Sequence, residues 1–317
     1  MITTNLDKAI SALNQGELVA IPTETVYGLA ANAFTEDAVN KIFSLKNRPS
    51  FNPLIVHIKS IDYLDNIAQD IPEKAIILAK HFWPGPLTLV LTKKDTIPEA
   101  VTGGKNTVAI RVPNHPTALE LLNKLNFPLA APSANPFGSI SPTTSQHVQT
   151  YFGDKLEVIL EGGTCKNGLE STIIGFDNNE AILYRHGAIT INDVEKVIGK
   201  IGFKTKDNKK PEAPGMLSKH YAPKKETFLT NNVKELYKNF TDKKVGFILF
   251  KDFFSPNKNC YKEILSEIGN LEEAAMNLYK ALHQLDNSDC DIIIAERFPD
   301  EGLGKTINDR LERAVKK

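Results

Sequence analysis

The stretch Ile21-Pro22-Thr23-Glu24-Thr25-Val26-Tyr27-Gly28-Leu29 constrains this chain more than any other. Leu18-Val19-Ala20-Ile21 before it is an apolar run of strand length. Pro22 ends the ladder, because it has no N–H to donate. Hydroxyl, carboxylate, hydroxyl, phenol and glycine follow. A strand that hands over to small polar groups sets donors at its carboxyl end, where open α/β sheets bind ligands. On spacing alone, a polar strand-to-helix turn is the plain alternative.

Around it, helical and strand patterns intermingle. Asn5 is an N-cap for a stripe of Leu6, Ala9, Ile10 and Leu13 that Gly16 stops. Thr35 caps a second helix, with Glu36 and Asp37 in its first turn, which ends at Lys46-Asn47-Arg48-Pro49. Further helices are predicted over Glu73–Phe82, Thr117–Leu125, Ser145–Phe152 and Ile191–Ile198. Strands are predicted over Leu54–Ile58, Leu87–Thr92, Thr107–Val112, Val158–Leu160, Thr172–Phe176 and Ala181–Tyr184. Without clean βαβ alternation, a large twisted, mixed α/β sheet fits better than a parallel one. At 317 residues two domains are expected. The periodicity fails from Lys204 to Lys225, a linker rich in lysine and proline that also holds Pro214-Gly215-Met216 and His220-Tyr221-Ala222-Pro223. The expected division is 1–203, a linker 204–226, and a small α/β domain over 227–317. That domain should carry strands Val245–Phe250 and Asp291–Ala295, a helix Leu271–Leu285 and a last helix from about Ile307.

Several groups have chemistry to offer. Lys46 and Arg48 straddle a helix end, so one or both project from the loop. Such a pair neutralises phosphates, with lysine as point charge and arginine as fork, although cations there also simply suit the dipole. Asn52 feeds the strand that carries His57, itself an ordinary half-buried histidine if read alone. Thr107, Ala109 and Arg111 share one strand face, and an inward arginine implies a carboxylate or phosphate ligand, or an internal salt bridge. Ala131-Pro132-Ser133-Ala134-Asn135 repeats the pattern of strand, proline and small polar groups. Gly138, Ser139 and Ser141 continue that loop. Glu170-Ser171-Thr172 enters another strand, and Arg185 closes a later one. Gly304-Lys305-Thr306 lacks the earlier glycine of a P-loop and is read as a loop and helix start. No serine-hydrolase elbow and no His/Cys cluster of metal spacing occurs in the sequence.

Together, Pro22–Leu29, Lys46-x-Arg48, Asn52-Pro53-Leu54, Ser133-x-Asn135, Ser141-Pro142-Thr143 and Ser171-Thr172 resemble the YrdC-type family. His220–Pro223 and Gly302–Arg313 resemble its two-domain version. The resemblance implies a twisted α/β sheet bent over a cavity, and threonylcarbamoyl-AMP synthesis. L-threonine, bicarbonate and ATP give threonylcarbamoyl-adenylate and pyrophosphate. The product goes to a separate tRNA threonylcarbamoyltransferase complex. By matching motif, Lys46, Arg48 and Asn52 would hold ATP, with Mg²⁺ shared on the phosphates. Thr107, Asn135, Ser141 and Arg185 would line the nucleotide side. Thr25, His57 and Arg111 would hold threonine, with Ser133 and Ser171 beside them. Tyr221 would fold back as a lid on the nucleotide.

Three other readings compete. The same fold could offer tRNA or double-stranded RNA a concave basic face, but formal net charge is zero. Carbamoyl-adenylate chemistry in hydrogenase maturation uses a related domain, with cysteine-rich zinc modules that this chain lacks. A non-catalytic ATP sensor is the third. Three scattered cysteines argue against a disulfide framework, and no apolar run is long enough to span a bilayer. With no signal pattern at the start, a cytoplasmic setting is expected.

Overall fold

Short β-branched runs separated by proline and glycine build most of the sheet, and long amphipathic runs build the helices that cover it. The computed structural model describes residues 1–203, 213, 221–253, 256 and 260–315. Pro214–Met216 and His220 lie outside the described residues.

An 11-stranded sheet dominates. Its strands run in the spatial order Ile2–Thr3, Val158–Leu160, Val19–Ile21, Gly28–Asn32, Leu129–Ala130, Ile55–His57, Thr107–Arg111, Leu87–Thr92, Thr172–Asp177, Glu180–Arg185 and Gly202–Phe203. The pairing is mixed: Ile55–His57 runs parallel to Thr107–Arg111, which runs antiparallel to Leu87–Thr92. A second sheet of four parallel strands follows, in the order Glu226–Thr230, Ile292–Glu296, Val245–Leu249 and Tyr261–Ile264. Helix Leu271–Asn287 packs against it through Ala274, Leu278, Ala281, Leu282 and Leu285. That spacing is one apolar helical stripe, and each buried leucine contributes about 2–3 kcal/mol.

The structure differs from the sequence reading in several places, and strands Ile2–Thr3, Gly28–Asn32 and Gly202–Phe203 are among its additions. Pro22–Tyr27 is not the strand-to-helix turn that is its plain alternative. It joins two antiparallel strands, with Ile21 opposite Gly28, because Gly28 lacks the Cβ that would crowd Ala131 at 3.3 Å. Strands Glu226–Thr230 and Tyr261–Ile264 are additions, and the first begins inside the predicted linker. Thr35 stands at its N-cap without a side-chain hydrogen bond. The last helix starts at Gly302, five residues before Ile307. Gly304 is what permits this: a Cβ there would lie 1.9 Å from the Pro299 carbonyl.

Candidate active site

Two loops with the same pattern meet on the sheet. Pro22–Tyr27 and Ala131–Asn135 come together as Leu29 donates to the Pro132 carbonyl at 2.7 Å and Ala134 to the Tyr27 carbonyl at 2.8 Å. Their contact opens a cleft lined by Thr23, Thr25, Val26, Gly28, Arg48, Ile55, His57, Arg111, Ala131, Pro132, Ser133, Glu170, Ser171, Arg185 and Tyr221.

Of the residues singled out in the sequence, Thr25, Arg48, His57, Arg111, Ser133, Ser171, Arg185 and Tyr221 line the cleft. One end is organised by Arg111. Its Nη1 donates to Thr25 Oγ1 at 2.9 Å and its Nε to the Gly85 carbonyl at 3.2 Å. Its Nη2 stands 2.7 Å from Glu24 Oε1, with both side chains almost completely buried. His57 is opposite Arg111 in the strand register. Burial, helped by the Arg111 charge, lowers its imidazole to about 3, so it is neutral at physiological pH. Among the described residues its Nδ1 has no hydrogen-bond partner.

The other end carries Arg48 and Arg185. Arg48 donates to the carbonyls of Asn52 and Pro53, at 3.2 and 2.8 Å. Burial lowers it to about 9, and the nearby Arg185 charge adds to this. Arg185 donates through Nη2 to Ser171 O at 2.8 Å and Oγ at 3.0 Å. Tyr221 is 1% exposed and lines the same wall, its ring beneath the Arg310 guanidinium at 4.9 Å. It has a φ of 64°, and Ala222 beside it donates to the Gly138 carbonyl at 2.8 Å. Ala213, also from the linker segment, is fully buried among Ile55, Val90, Ala109 and Ile173.

Lys46, Asn52, Asn135, Ser141 and Thr107 do not line the cleft. Lys46 is 1% exposed and its ammonium donates to the Ser133 carbonyl at 2.6 Å and to the Asn135 carbonyl. Burial, then Arg48, lowers it well below an ordinary lysine. It thus ties down the Ser133 loop from behind. Asn135 spans Pro136 and Ser139 through Nδ2. Its Oδ1 and both amide atoms of Asn52 are buried without hydrogen-bond partners among the described residues, which is unusual for native polar groups. Ser141 donates to Glu170, a lining residue, at 2.7 Å. Thr107 pairs with Thr92 at the far end of the Arg111 strand, about 13 Å along it by strand rise.

Two contributors escaped the sequence reading. Glu24 was visible inside the motif but carried no partner signal, because Arg111 is 87 positions away. Glu170 is fixed by Ser141, by Tyr279 at 3.0 Å and by Arg310 at 2.8 Å, and the last two come from the second sheet's domain. Burial pushes its carboxyl up, but Arg310 and Arg185 hold it down at about 2. The result is a mainly cationic cleft with hydroxyls at both ends, suited to a small carboxylate beside a phosphorylated ligand.

Comparison with known proteins agrees. A family model described as "Telomere recombination" matches residues 11–187, and one described as "Threonylcarbamoyl-AMP synthase, C-terminal domain" matches residues 189–315. The chain is 42% identical to the threonylcarbamoyl-AMP synthase of Pyrococcus abyssi, over 96% of this chain and 92% of that protein. It is 41% identical to that of Bacillus subtilis, over 97% and 92%. A crystal structure of P. abyssi Sua5 complexed with L-threonine superposes with a TM-score of 0.92 at 42% identity, covering 98% of this chain and 94% of that one. The chain therefore belongs to the threonylcarbamoyl-AMP synthase family, in the form that carries the additional C-terminal domain.

Proposed function

We propose that this protein is a threonylcarbamoyl-AMP synthase. L-Threonine and bicarbonate condense to a carbamate with loss of water. A carbamate oxygen then bonds to the α-phosphorus of ATP as the bond to the β-phosphate oxygen breaks, giving threonylcarbamoyl-adenylate and pyrophosphate. The nucleophile comes from the substrate, so the chain's work is positioning and charge stabilisation.

The observation that carries this reading is the pairing of the Arg111 fork, already oriented by Thr25 and Glu24, with Arg48 and Arg185 in one cleft. Arg111 takes the threonine carboxylate, as a guanidinium does in bidentate fashion. Neutral His57 offers Nδ1 to the substrate's polar groups, and Ser133 and Ser171 flank it. Arg48 and Arg185 take the phosphates. Asn52 and Asn135, with orphaned amide atoms, serve the nucleotide through small adjustments of their loops, with Ser141 and Thr107 behind them. Lys46 acts on the nucleotide through the loop it ties down. Among the described residues no three His, Cys, Asp or Glu side chains group to hold a metal, and Glu170 is committed to Arg310. Mg²⁺ is accordingly assigned to the MgATP substrate, held by phosphate oxygens.

Tyr221, buried in the cleft wall, keeps water from the hydrolysable mixed anhydride. Residues 1–203 are taken as the adenylate-forming part and 227–317 as the small domain joined to it by 204–226. The product passes to a separate tRNA threonylcarbamoyltransferase complex, and any direct contact with tRNA or double-stranded RNA is weak, given a formal net charge of zero. No helix of the described residues is long and apolar enough to cross a membrane. Three free cysteines favour a cytoplasmic setting. The test is pyrophosphate release from ATP and bicarbonate with and without L-threonine. Threonine-dependent release is expected; release that ignores threonine would end the substrate assignment.

A further inference from the structure

The last helix of the described residues buries polar side chains among its apolar ones. Helix Gly302–Ala314 buries Thr306, Asn308, Asp309, Arg310 and Arg313. Arg310 is fully buried, the largest side chain to be so among the described residues. A buried guanidinium is retained only where several acceptors meet it. Here Nε donates to Glu170 at 2.8 Å, Nη1 to Asp309 at 2.6 Å and Nη2 to the His186 carbonyl at 2.7 Å. Asp309 is fixed in turn by Arg313 at 2.9 Å. One turn earlier, Thr306 donates to the Gly187 carbonyl at 3.0 Å.

Three of these contacts, to Glu170, His186 and Gly187, fall on two short segments of the large-sheet domain, Glu170-Ser171 and Arg185-His186-Gly187, and both carry cleft-lining residues. The packing between them is tight. A Cβ on Gly187 would lie 2.2 Å from the Thr172 nitrogen, and one on Gly168 would lie 2.5 Å from the Met276 carbonyl of helix Leu271–Asn287. The C-terminal domain is thus part of the cleft's construction. The charge pattern gives that part a purpose. Glu170 is a carboxylate on a wall where phosphates are to sit, an unfavourable neighbour for a polyanion. Bonded to Arg310, Tyr279 and Ser141, it is neutralised and turned into an anchor, and the wall presents the charge of Arg185.

We propose that Arg310, with Thr306 beside it, is a positioning residue for the nucleotide half of the site: the C-terminal domain neutralises Glu170 and fixes the Arg185 segment from behind. This rests on the assignment of Arg48 and Arg185 to ATP and extends it by giving the second domain a role in ATP affinity. Of the threonine half, Thr25 and Arg111 hydrogen-bond among the described residues only within the large-sheet domain, and Ser171 alone lies on a gripped segment.

Steady-state kinetics of the full-length chain with Arg310→Met, Arg310→Lys and Thr306→Val test this, reading pyrophosphate release against ATP and threonine separately. The expected result is a rise in KM for ATP of about 30-fold for Arg310→Met and about fivefold for the other two, with KM for threonine within about twofold of the unaltered chain. Lysine keeps a charge opposite Glu170 but cannot reach Asp309 and the His186 carbonyl together. If Arg310→Met does not fold, Arg310→Lys and Thr306→Val carry the decision. A substitution that merely loosens the fold lowers the active fraction, and so kcat, while both KM values stay put. That outcome, or an unchanged KM for ATP in folded variants, overturns the proposal. Should the unaltered chain release no threonine-dependent pyrophosphate, the synthase reading fails, and titration calorimetry of ATP binding to the same variants decides the role of Arg310 by the same ratios.

Discussion

Glu24→Gln separates what the cleft needs in order to fold from what it needs in order to bind. Glu24 and Arg111 are a buried pair at 2.7 Å with side chains 5% and 4% exposed, and the second carboxylate oxygen accepts the Asn114 N–H at 2.9 Å. Breaking such a pair by neutralising one partner costs about 3–5 kcal/mol. Glutamine keeps an acceptor for Asn114, so the lower end applies, about 3 kcal/mol. At about 2–4 °C per kcal/mol for 150–250 residues, the melting midpoint should fall by about 6–12 °C. Threonine should then restore more than it gives the unaltered protein, because its carboxylate supplies the counter-charge that Arg111 has lost. At 100 times Kd a ligand stabilises by about 2.7 kcal/mol, and a tenfold gain in affinity adds about 1.4 kcal/mol at fixed concentration. Urea denaturation of both proteins with and without L-threonine, in the absence of ATP, measures the two terms. A variant as stable as the parent, or a threonine increment no larger than the parent's, would refute the idea that Glu24 is Arg111's stand-in counter-ion.

Two further outcomes are expected. Arg48→Ala should lower kcat/KM for ATP about 10²–10³-fold with the fold retained by circular dichroism, whereas Lys46→Ala should lose activity together with thermal stability, because it frees two loop carbonyls; full turnover by both would remove the phosphate assignment. The stacked rings of His147 and His283, 3.8 Å apart, join helix Ser145–Phe152 to helix Leu271–Asn287. Burial lowers them to about 3 and about 4 from an ordinary 6.5, with the neighbouring ring adding to the shift of His147. Their contribution to stability is therefore complete above about pH 6.5 and is lost as pH falls through this window, since the unfolded chain takes up the protons first. His283→Phe should flatten that slope in urea midpoints between pH 6.5 and 4; an unchanged slope would show that the pair does not titrate with unfolding.

Most of the sheet was legible because its strands obey local rules. Leu87–Thr92 and Val158–Leu160, like helices Glu73–Phe82, Ser145–Phe152 and Ile191–Ile198, have the bounds that their periodicity predicts. Arg111 was readable as inward-facing because period 2 and Pro113 fix the register of its strand. Gly28–Asn32 was not, since Gly-Leu-Ala-Ala-Asn has little β-propensity and becomes a strand through partners on both sides. Thr107 shows the limit of a face argument: sharing a face with Arg111 does not mean sharing a place along the strand. Glu170 and Arg310 lie 140 residues apart, and no local pattern pairs them. A charged residue on a buried helix face, as at Asp309, Arg310 and Arg313, was the available signal, but in sequence it looks the same as a solvated charged face.

Acidic side chains in a cleft for anions become intelligible once the empty protein is considered. Arg48, Arg111, Arg185 and Arg310 are all buried. Four guanidinium groups in so small a volume would repel one another and keep little of their hydration. Backbone carbonyls offset part of this for Arg48 and Arg185, but carbonyl dipoles do not cancel a charge. Glu24 and Glu170 do, one at each end, and so let the cleft fold before ligands arrive. Their arrangement also differs. Glu24 pairs with Arg111 itself, so on the proposed assignment it would compete with the threonine carboxylate for that guanidinium. Glu170 pairs with Arg310, a cation outside the cleft lining, so on the proposed assignment Arg48 and Arg185 would keep their charge for the nucleotide.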